Sequence, residues 1–271
     1  MTTFSIVTVC YNSAAALVGT AKSVFDQAFS DLQYIVQDRS SSDATVDVVK
    51  TFGDWVDDFR SEPDSGVYQA MNSALSRCTG AFTLFLNPGD RFASVDVLQK
   101  VASQLQHDDD IVSGQAIAVA TGKVHKYRDP SQFWAGSFID PQATFVRTVL
   151  ARELQFNESL KFAGELDFLS RARLRDARFR MIDVPVCRKS FAAGPSPDDI
   201  AGFGEHHQVL MKHFGESYPV DATLRSELVN FTSEKFDAAH RLDALKEMTV
   251  PQLLKEYGRL NALVEKPSAP R

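Results

Sequence analysis

Cysteine is scarce in this chain. Cys10, Cys78 and Cys187 are spread through 271 residues, with no Cys-x-x-Cys spacing. An odd, sparse set excludes a disulfide framework and fits a reducing compartment. Each lies among apolar neighbours, so each reads as a small core residue. Long apolar runs are missing too. None reaches the roughly 18 residues that a spanning helix needs, and no signal-type segment precedes the first strand at Phe4. The expectation is a soluble, cytoplasmic protein, with peripheral contact at the inner face of a membrane left open. There is no dense Lys/Arg tract, and the net charge is −6. Bulk electrostatics therefore gives no support for a nucleic-acid partner, although Arg171–Arg180 and Arg188-Lys189 are locally basic. Internal repeats and low-complexity tracts are also absent. The remaining composition is 44% hydrophobic, which supports a packed core.

The first ninety residues alternate strand and helix. Phe4–Cys10 is a β-rich run with little polar alternation, as expected of a parallel strand buried on both faces. Leu17, Ala21, Val24, Phe25 and Ala28 follow at helical spacing. Leu32–Asp38 is a second strand, Ser40 to Asp43 a Ser-x-x-Asp cap, and Ala44–Phe52 a helix. Trp55–Ser61 reads as a third strand. Val67, Ala70, Met71, Ala74, Leu75 and Cys78 then mark one face of an amphipathic helix, with Tyr68 and Asn72 on another. Ala81–Leu86 is a buried strand ending in the turn Asn87-Pro88-Gly89, which delivers Asp90. Parallel strands joined by helices leave four loops along one sheet edge: Thr8–Asn12, Asp38–Ser42, Glu62–Gly66 and Asn87–Asp90. In open α/β sheets, ligands bind at that edge. Asp38, Asp64 and Asp90 meet there, which is costly unless a cation or donor groups share the space. Each also has a plainer reading as a helix cap, Asp90 for a helix over Phe92–Leu105.

The second half is less regular. Asp110–Ala120 and Val124–Tyr127 suggest a hairpin, Ala143–Val146 and Phe179–Val186 further strands, and Gly164–Asp176 a helix with Leu166, Leu169 and Ala172 inward. Lys189–Asp199 is a Gly/Pro/Ser loop of the kind that serves as a lid. Helices are expected over Ile200–Phe214, Ala222–Met248 and Gln252–Val264. His206, His207 and His213 lack a second ligand motif and read as solvent-facing. The Ala222–Met248 helix has an apolar stripe suited to docking on the domain before it or on a second copy. Its mixed-charge polar face does not favour lipid.

Taken together, Ser5–Asn12, Tyr34–Thr45, Ser61–Asn72 and Leu84–Asp90 resemble glycosyltransferase family 2, of the GT-A fold, in its bacterial polysaccharide-assembly branch. Thr8–Asn12 matches Thr-x-x-[Tyr/Phe]-Asn. Asp38–Thr45 matches the family's Asp followed by a Gly/Ser-Thr-Asp-Gly-Thr loop. Ser61–Asn72 matches Ser-Glu-x-Asp-x-Gly-x-Tyr-x-Ala-Met-Asn. Phe156–Leu160 with Gly164–Phe168 is similar to the region of the catalytic base, and Ser190-Phe191 with Gly194 to a late loop. The chain departs from the pattern at Gly89, where a second acid is common, at Arg39-Ser40, where glycines are usual, and at Pro141, where a His often precedes Gln-Ala-Thr.

The resemblance implies an α/β fold: a GT-A-type, Rossmann-like mixed sheet, mostly parallel, flanked by helices. The catalytic domain would span 1–198, with a nucleotide-binding half to about 92 and an acceptor half over 93–198. A helical extension would span 199–271. It implies an inverting, metal-dependent transfer from a nucleotide-diphospho-sugar, with uridine the default base, to a glycan or lipid-linked glycan. Asp90 would hold Mn²⁺ or Mg²⁺. Thr8, Tyr11, Asn12, Asp38, Asp64, Asn72 and Asn87 would line the donor site. Arg188 and Lys189, just before the Gly/Pro loop, are placed to clamp the diphosphate as that loop closes, or else to form a salt-bridged surface pair. Glu165 would be the base, kept ionised by the helix N-terminus, with Asp167 as reserve or as a partner for Arg171. Two rivals stand beside this reading. A sugar nucleotidyltransferase would want a Gly-rich, basic first loop, which Tyr11–Ala16 lacks. A non-catalytic sugar-binding module would explain Gly89. A homo-oligomer through the C-terminal helices is left open.

Overall fold

A computed structural model describes residues 3–122, 124–125, 139–190 and 197–215. The chain divides into two compact units, residues 1–130 with 139–191 and residues 131–138 with 192–271. In the first unit the strands are β1 (Phe4–Cys10), β2 (Leu32–Asp38), β3 (Asp58–Ser61), β4 (Phe82–Phe85), β5 (Arg91–Phe92), β6 (Ile111–Ala118), β7 (Val124–His125), β8 (Thr144–Arg147) and β9 (Phe179–Lys189). The helices are α1 (Ala14–Phe25), α2 (Thr45–Thr51), α3 (Val67–Leu75), α4 (Val97–Ala102), α5 (Thr148–Leu154) and α6 (Gly164–Leu174). Among the described residues of the second unit there is one helix, α7 (Pro197–Phe214). The helices expected over Ala222–Met248 and Gln252–Val264 lie outside the described residues.

The strands form one mixed sheet in the order β3-β2-β1-β4-β8-β6-β9-β5, with β7 beside β6. β3, β2, β1 and β4 are mutually parallel. Their carboxyl ends therefore share an edge, as the alternating pattern requires. All seven residues of β1 are buried, because helices cover both faces of the sheet around it. Around β1, Phe4 packs on Phe29 and Phe145 with ring centroids 5.4 and 5.1 Å apart. Cys10, Cys78 and Cys187 are all buried and unbridged.

Gly80 shows how tightly α3 and β4 are joined to β1. Its N–H donates to Ser5 Oγ at 2.9 Å. A Cβ there would overlap the backbone of Phe4 and Ser5. Backbone cannot swing aside as a flexible side chain does. Gly80→Ala is therefore expected to cost about 2–3 kcal/mol, read as a lower urea midpoint at unchanged m-value.

Several sequence expectations are corrected. Arg91-Phe92 opens a strand, not a helix, because it pairs with Cys187 and Arg188 of β9. The helix that follows is only Val97–Ala102, with Asp96 at its N-cap. β9 continues past Val186 to Lys189. α5 went unread between Thr148 and Leu154. The proposed Ser40–Asp43 cap does not form. Ser40 takes a positive φ of 48°, and Asp43 accepts instead from Thr45 N–H at 2.9 Å. In α6, Leu166 is half-buried, while Asp167 is buried and paired with Arg171 at 2.7 Å. α7 begins at Pro197, before Ile200, and His206, His207 and His213 are half-buried rather than solvent-facing. Burial lowers the pKa of His207.

Candidate active site

The carboxyl edge of β1–β4 is assembled by side chains that bond one loop to the next. Thr8 itself does not reach the rim. It is fully buried, and its hydroxyl donates to the Leu86 carbonyl at 2.9 Å and lies 3.1 Å from Tyr34 Oη. That bond ties β1 to the end of β4. Asn12 has φ 46°, a conformation Asn tolerates better than most residues. Its side-chain Oδ1 accepts from Ser42 N–H at 2.9 Å, and its backbone N–H donates to Ser41 Oγ at 2.8 Å. Asp38 is wholly buried and accepts from Ser41 N–H at 2.9 Å, from the Ser41 hydroxyl and from Ser61 Oγ at 2.6 Å. Asn12 and Asp38 thus shape the loops after β1, β2 and β3.

Tyr11, Arg39 and Asp64 form the outer layer. Tyr11 is 54% exposed, and the Arg39 guanidinium lies 5.4 Å from its ring centre. Arg39 also reaches Asp64 Oδ1 at 3.1 Å. Gly66 N–H donates to the same oxygen at 2.9 Å. Asp64 Oδ2 is buried with no hydrogen-bond partner among the described residues. Burial raises the Asp64 pKa, opposed by the Gly66 N–H and Arg39. A ribose hydroxyl would supply the missing donor.

Asp90 sits on a turn that demands glycine before it. Gly89 has φ +94°, a region that side chains rarely enter. This gives the departure at Gly89 a backbone cause. Thr20 of α1 holds the turn, donating to Asp90 O at 2.7 Å and accepting from Gly89 N–H at 2.9 Å. Asp90 is 6% exposed, and Oδ1 accepts from Ser190 N–H at 2.8 Å. It therefore does not cap a helix. Asn87 is half-buried on the same turn. Burial raises the Asp90 pKa; Ser190 N–H and Lys189 pull it down, and Asp140 pushes it up. Lys189 bonds Asp140 at 2.6 Å, so these three groups form one charged cluster.

Glu165 opens α6 and accepts from Tyr68 Oη at 2.5 Å. Burial raises its pKa, which Tyr68, its own N–H and Lys189 oppose. Glu165 borders a cavity of about 30 Å³ lined by Met71, Phe85, Phe156 and Phe168. Gln142 lines it too, 7% exposed, with Oε1 lacking a partner among the described residues.

Asn72 is brought to a different task from the one its motif implied. Its amide bonds Phe156 N at 2.8 Å, Phe156 O at 2.9 Å and Glu158 Oε1 at 2.9 Å. It clasps α3 to the segment before α6. Removing it leaves two buried backbone groups unpaired. Asn72→Ala is expected to cost about 2–4 kcal/mol, measured as lost ΔG of unfolding.

Among the described residues, no group of three or more His, Cys, Asp or Glu could hold a metal. The acidic edge nevertheless fits a hard divalent cation. Asp90 offers one buried carboxylate whose burial is costly, and such ions complete their shells with phosphate and water oxygens. Asp90 would be the protein's ligand.

The sequence reading missed Tyr68, Arg39 and Asp140 as site residues. For Tyr68 the signal was present, since it shares a helix face with Asn72. For Asp140 there was no signal, because its proximity to Asp90 depends on Lys189.

A PGL/p-HBAD biosynthesis glycosyltransferase of Mycobacterium bovis is 28% identical over 162 residues, 58% of this chain and 60% of that protein. The match thus spans about three-fifths of the relative's length. An uncharacterized glycosyltransferase of Mycobacterium tuberculosis is 28% identical over 182 residues, covering 64% of this chain and 69% of its own. Among solved structures, S. aureus TarS 1-349 in complex with UDP-GlcNAc superposes with TM-score 0.65 at 19% identity, covering 97% of this chain and 90% of that one. The mannosyltransferase PcManGT from Pyrobaculum calidifontis, in complex with GDP-Man and Mn²⁺, gives 0.62 at 15% identity, covering 96% and 83%. The fold is that of the GT-A glycosyltransferases. The sequence model for glycosyl transferase family 2 matches residues 5–166, more than half of the chain, and the chain belongs to that family.

Proposed function

We propose that this chain moves a sugar from a nucleotide-diphospho-sugar to a hydroxyl of a glycan or lipid-linked glycan, with inversion at the anomeric carbon. The observation that carries the reading is the pair Asp90 and Glu165. They come from different elements, both are desolvated, and both feel the charge of Lys189. Membership of the family supports it, as does the UDP-GlcNAc held by TarS in its complex.

In this reading Tyr11 and Asp64 hold the nucleoside, with Asp38, Asn12 and Thr8 shaping the loops beneath it. Asp90 holds the divalent cation, Mn²⁺ or Mg²⁺, which when bound neutralises charge on the departing diphosphate. Lys189, already beside Asp90, adds a positive charge to the same region. Glu165 accepts the proton of the incoming hydroxyl. A raised pKa suits a base, because its affinity for the proton lies nearer the working pH. Asp167 serves α6 through its ion pair with Arg171.

The rival of a sugar nucleotidyltransferase has no support in the loop before α1, which carries neither a glycine run nor a basic residue. No described helix is long and apolar enough to cross a membrane. A panel of UDP- and GDP-sugars, each incubated with Mn²⁺, tests the proposal by nucleotide release. Release from at least one donor is expected, and release from none contradicts an enzyme of this kind.

A further inference from the structure

We propose that Tyr68 is a positioning residue for Glu165, its hydroxyl fixing the carboxylate from a second helix so that one oxygen faces the acceptor. The proposal rests on the reading of Glu165 as the base. Tyr68 is buried on α3, and its Oη lies 2.5 Å from Glu165 Oε2. A tyrosine O–H to an ionised carboxylate is a charge-assisted bond, stronger than a neutral one. It occupies Oε2 and leaves Oε1 for another donor.

The surrounding structure is built to hold this ring. The residue before Glu165 is Gly164, where a Cβ would overlap the Tyr68 ring. No larger residue lets α6 start this close to α3. Phe156 stacks on Tyr68 with centroids 5.8 Å apart and planes 15° from parallel. Its other contacts are a stack with Phe168 at 4.9 Å and an edge contact with Phe85 at 5.4 Å. The Asn72 clasp then fixes the backbone of Phe156 to the same helix that carries Tyr68. Tyr68 and Asn72 are four residues apart on α3, so one face of one helix sets both the base and the aromatic wall behind it. Among the described residues, the other charged group felt by Glu165 is Lys189, at the end of β9. Lys189 acts through charge and is bonded to Asp140, whereas Tyr68 acts through a directed hydrogen bond.

The test is a double-mutant cycle with Tyr68→Phe, Glu165→Gln and the double variant, followed by melting temperature at pH 5 and pH 9. In Glu165→Gln the amide oxygen still accepts from Tyr68 but without charge, so the effects of the two substitutions are non-additive, more so at the higher pH, where more of the Glu165 carboxylate is charged. In parallel, Tyr68→Phe shifts the acidic limb of the kcat–pH profile upward for a UDP- or GDP-sugar that the wild type turns over. The loss at the acid end is expected to be on the order of tenfold, shrinking at high pH. Additive melting temperatures at both pH values would overturn the proposal, whatever the activity. Non-additive values with full turnover by Glu165→Gln would keep the bond but remove its catalytic purpose, and with it the reading of Glu165 as base. Gly164→Ala supplies a second route. It should reproduce the shifted pH limb with Tyr68 intact, and a profile like the wild type's would count against the proposal.

Discussion

Glu165→Gln is expected to lower nucleotide-sugar turnover by on the order of 10³-fold while leaving nucleotide binding unchanged. The size follows from what a positioned base contributes, about 10²–10⁴ in rate. The substitution keeps the side chain's shape and an oxygen that accepts from Tyr68, so α6 and its aromatic wall should stay in place. The pH profile carries a second, sharper expectation. Burial holds the Glu165 pKa above the ordinary glutamate value, against the pull of Tyr68 and Lys189. The working form is the unprotonated one. Activity should therefore fall as pH drops through that raised value, higher on the pH scale than an exposed glutamate would give. In Glu165→Gln the limb should vanish. Full activity in that variant, or a limb in the ordinary range, contradicts the role.

Asp90→Asn is expected to lower turnover by about 10²–10³-fold and to abolish the metal-linked part of donor binding. The wild type should melt at a higher temperature with UDP plus Mn²⁺ than with UDP alone, because both ligands bind only the folded state. The variant should lose that difference. Without ligands, the sign of the pKa shift predicts the opposite effect on stability. Burial raises the folded-state pKa of Asp90, so the folded state holds this proton more tightly than the unfolded state does. Its relative stability is best at low pH and is lost as pH rises through the ordinary and then the raised value. At neutral pH the charged carboxylate is a burden, and an amide removes it. The ligand-free variant should melt higher than the wild type at neutral pH. A lower melting point, or a retained Mn²⁺-linked shift, contradicts the assignment.

Some of this site is plain in the sequence and some is hidden, for physical reasons. β1, β2 and β4 are legible because strands buried on both faces are short β-rich runs with few polar residues. Their common direction places Asp38, Asp64 and Asp90 on one edge. Phe92 to Leu105 misleads because its apolar spacing suits a helix, while Arg91-Phe92 is claimed by β9 almost a hundred residues away. No local period carries that information. Tyr68 and Asn72 are read correctly as sharing a face, but not as buried, since α6 and the Phe156 segment cover them from a distance in sequence. The upward shift of the Glu165 pKa is hidden in the same way. A helix N-terminus is visible in sequence, whereas the apolar wall of Phe85, Phe156 and Phe168 exists only after folding.

The central claim is a single displacement: the donor diphosphate held at Asp90 and the incoming hydroxyl deprotonated by Glu165 on the opposite side of the sugar. Time-resolved proton NMR of the first sugar released from an α-linked nucleotide-sugar tests it directly, read before the free sugar equilibrates. The account predicts the β anomer as the first-formed product. The α anomer would mean retention, by a second displacement or by attack on the face the diphosphate leaves, and would contradict it.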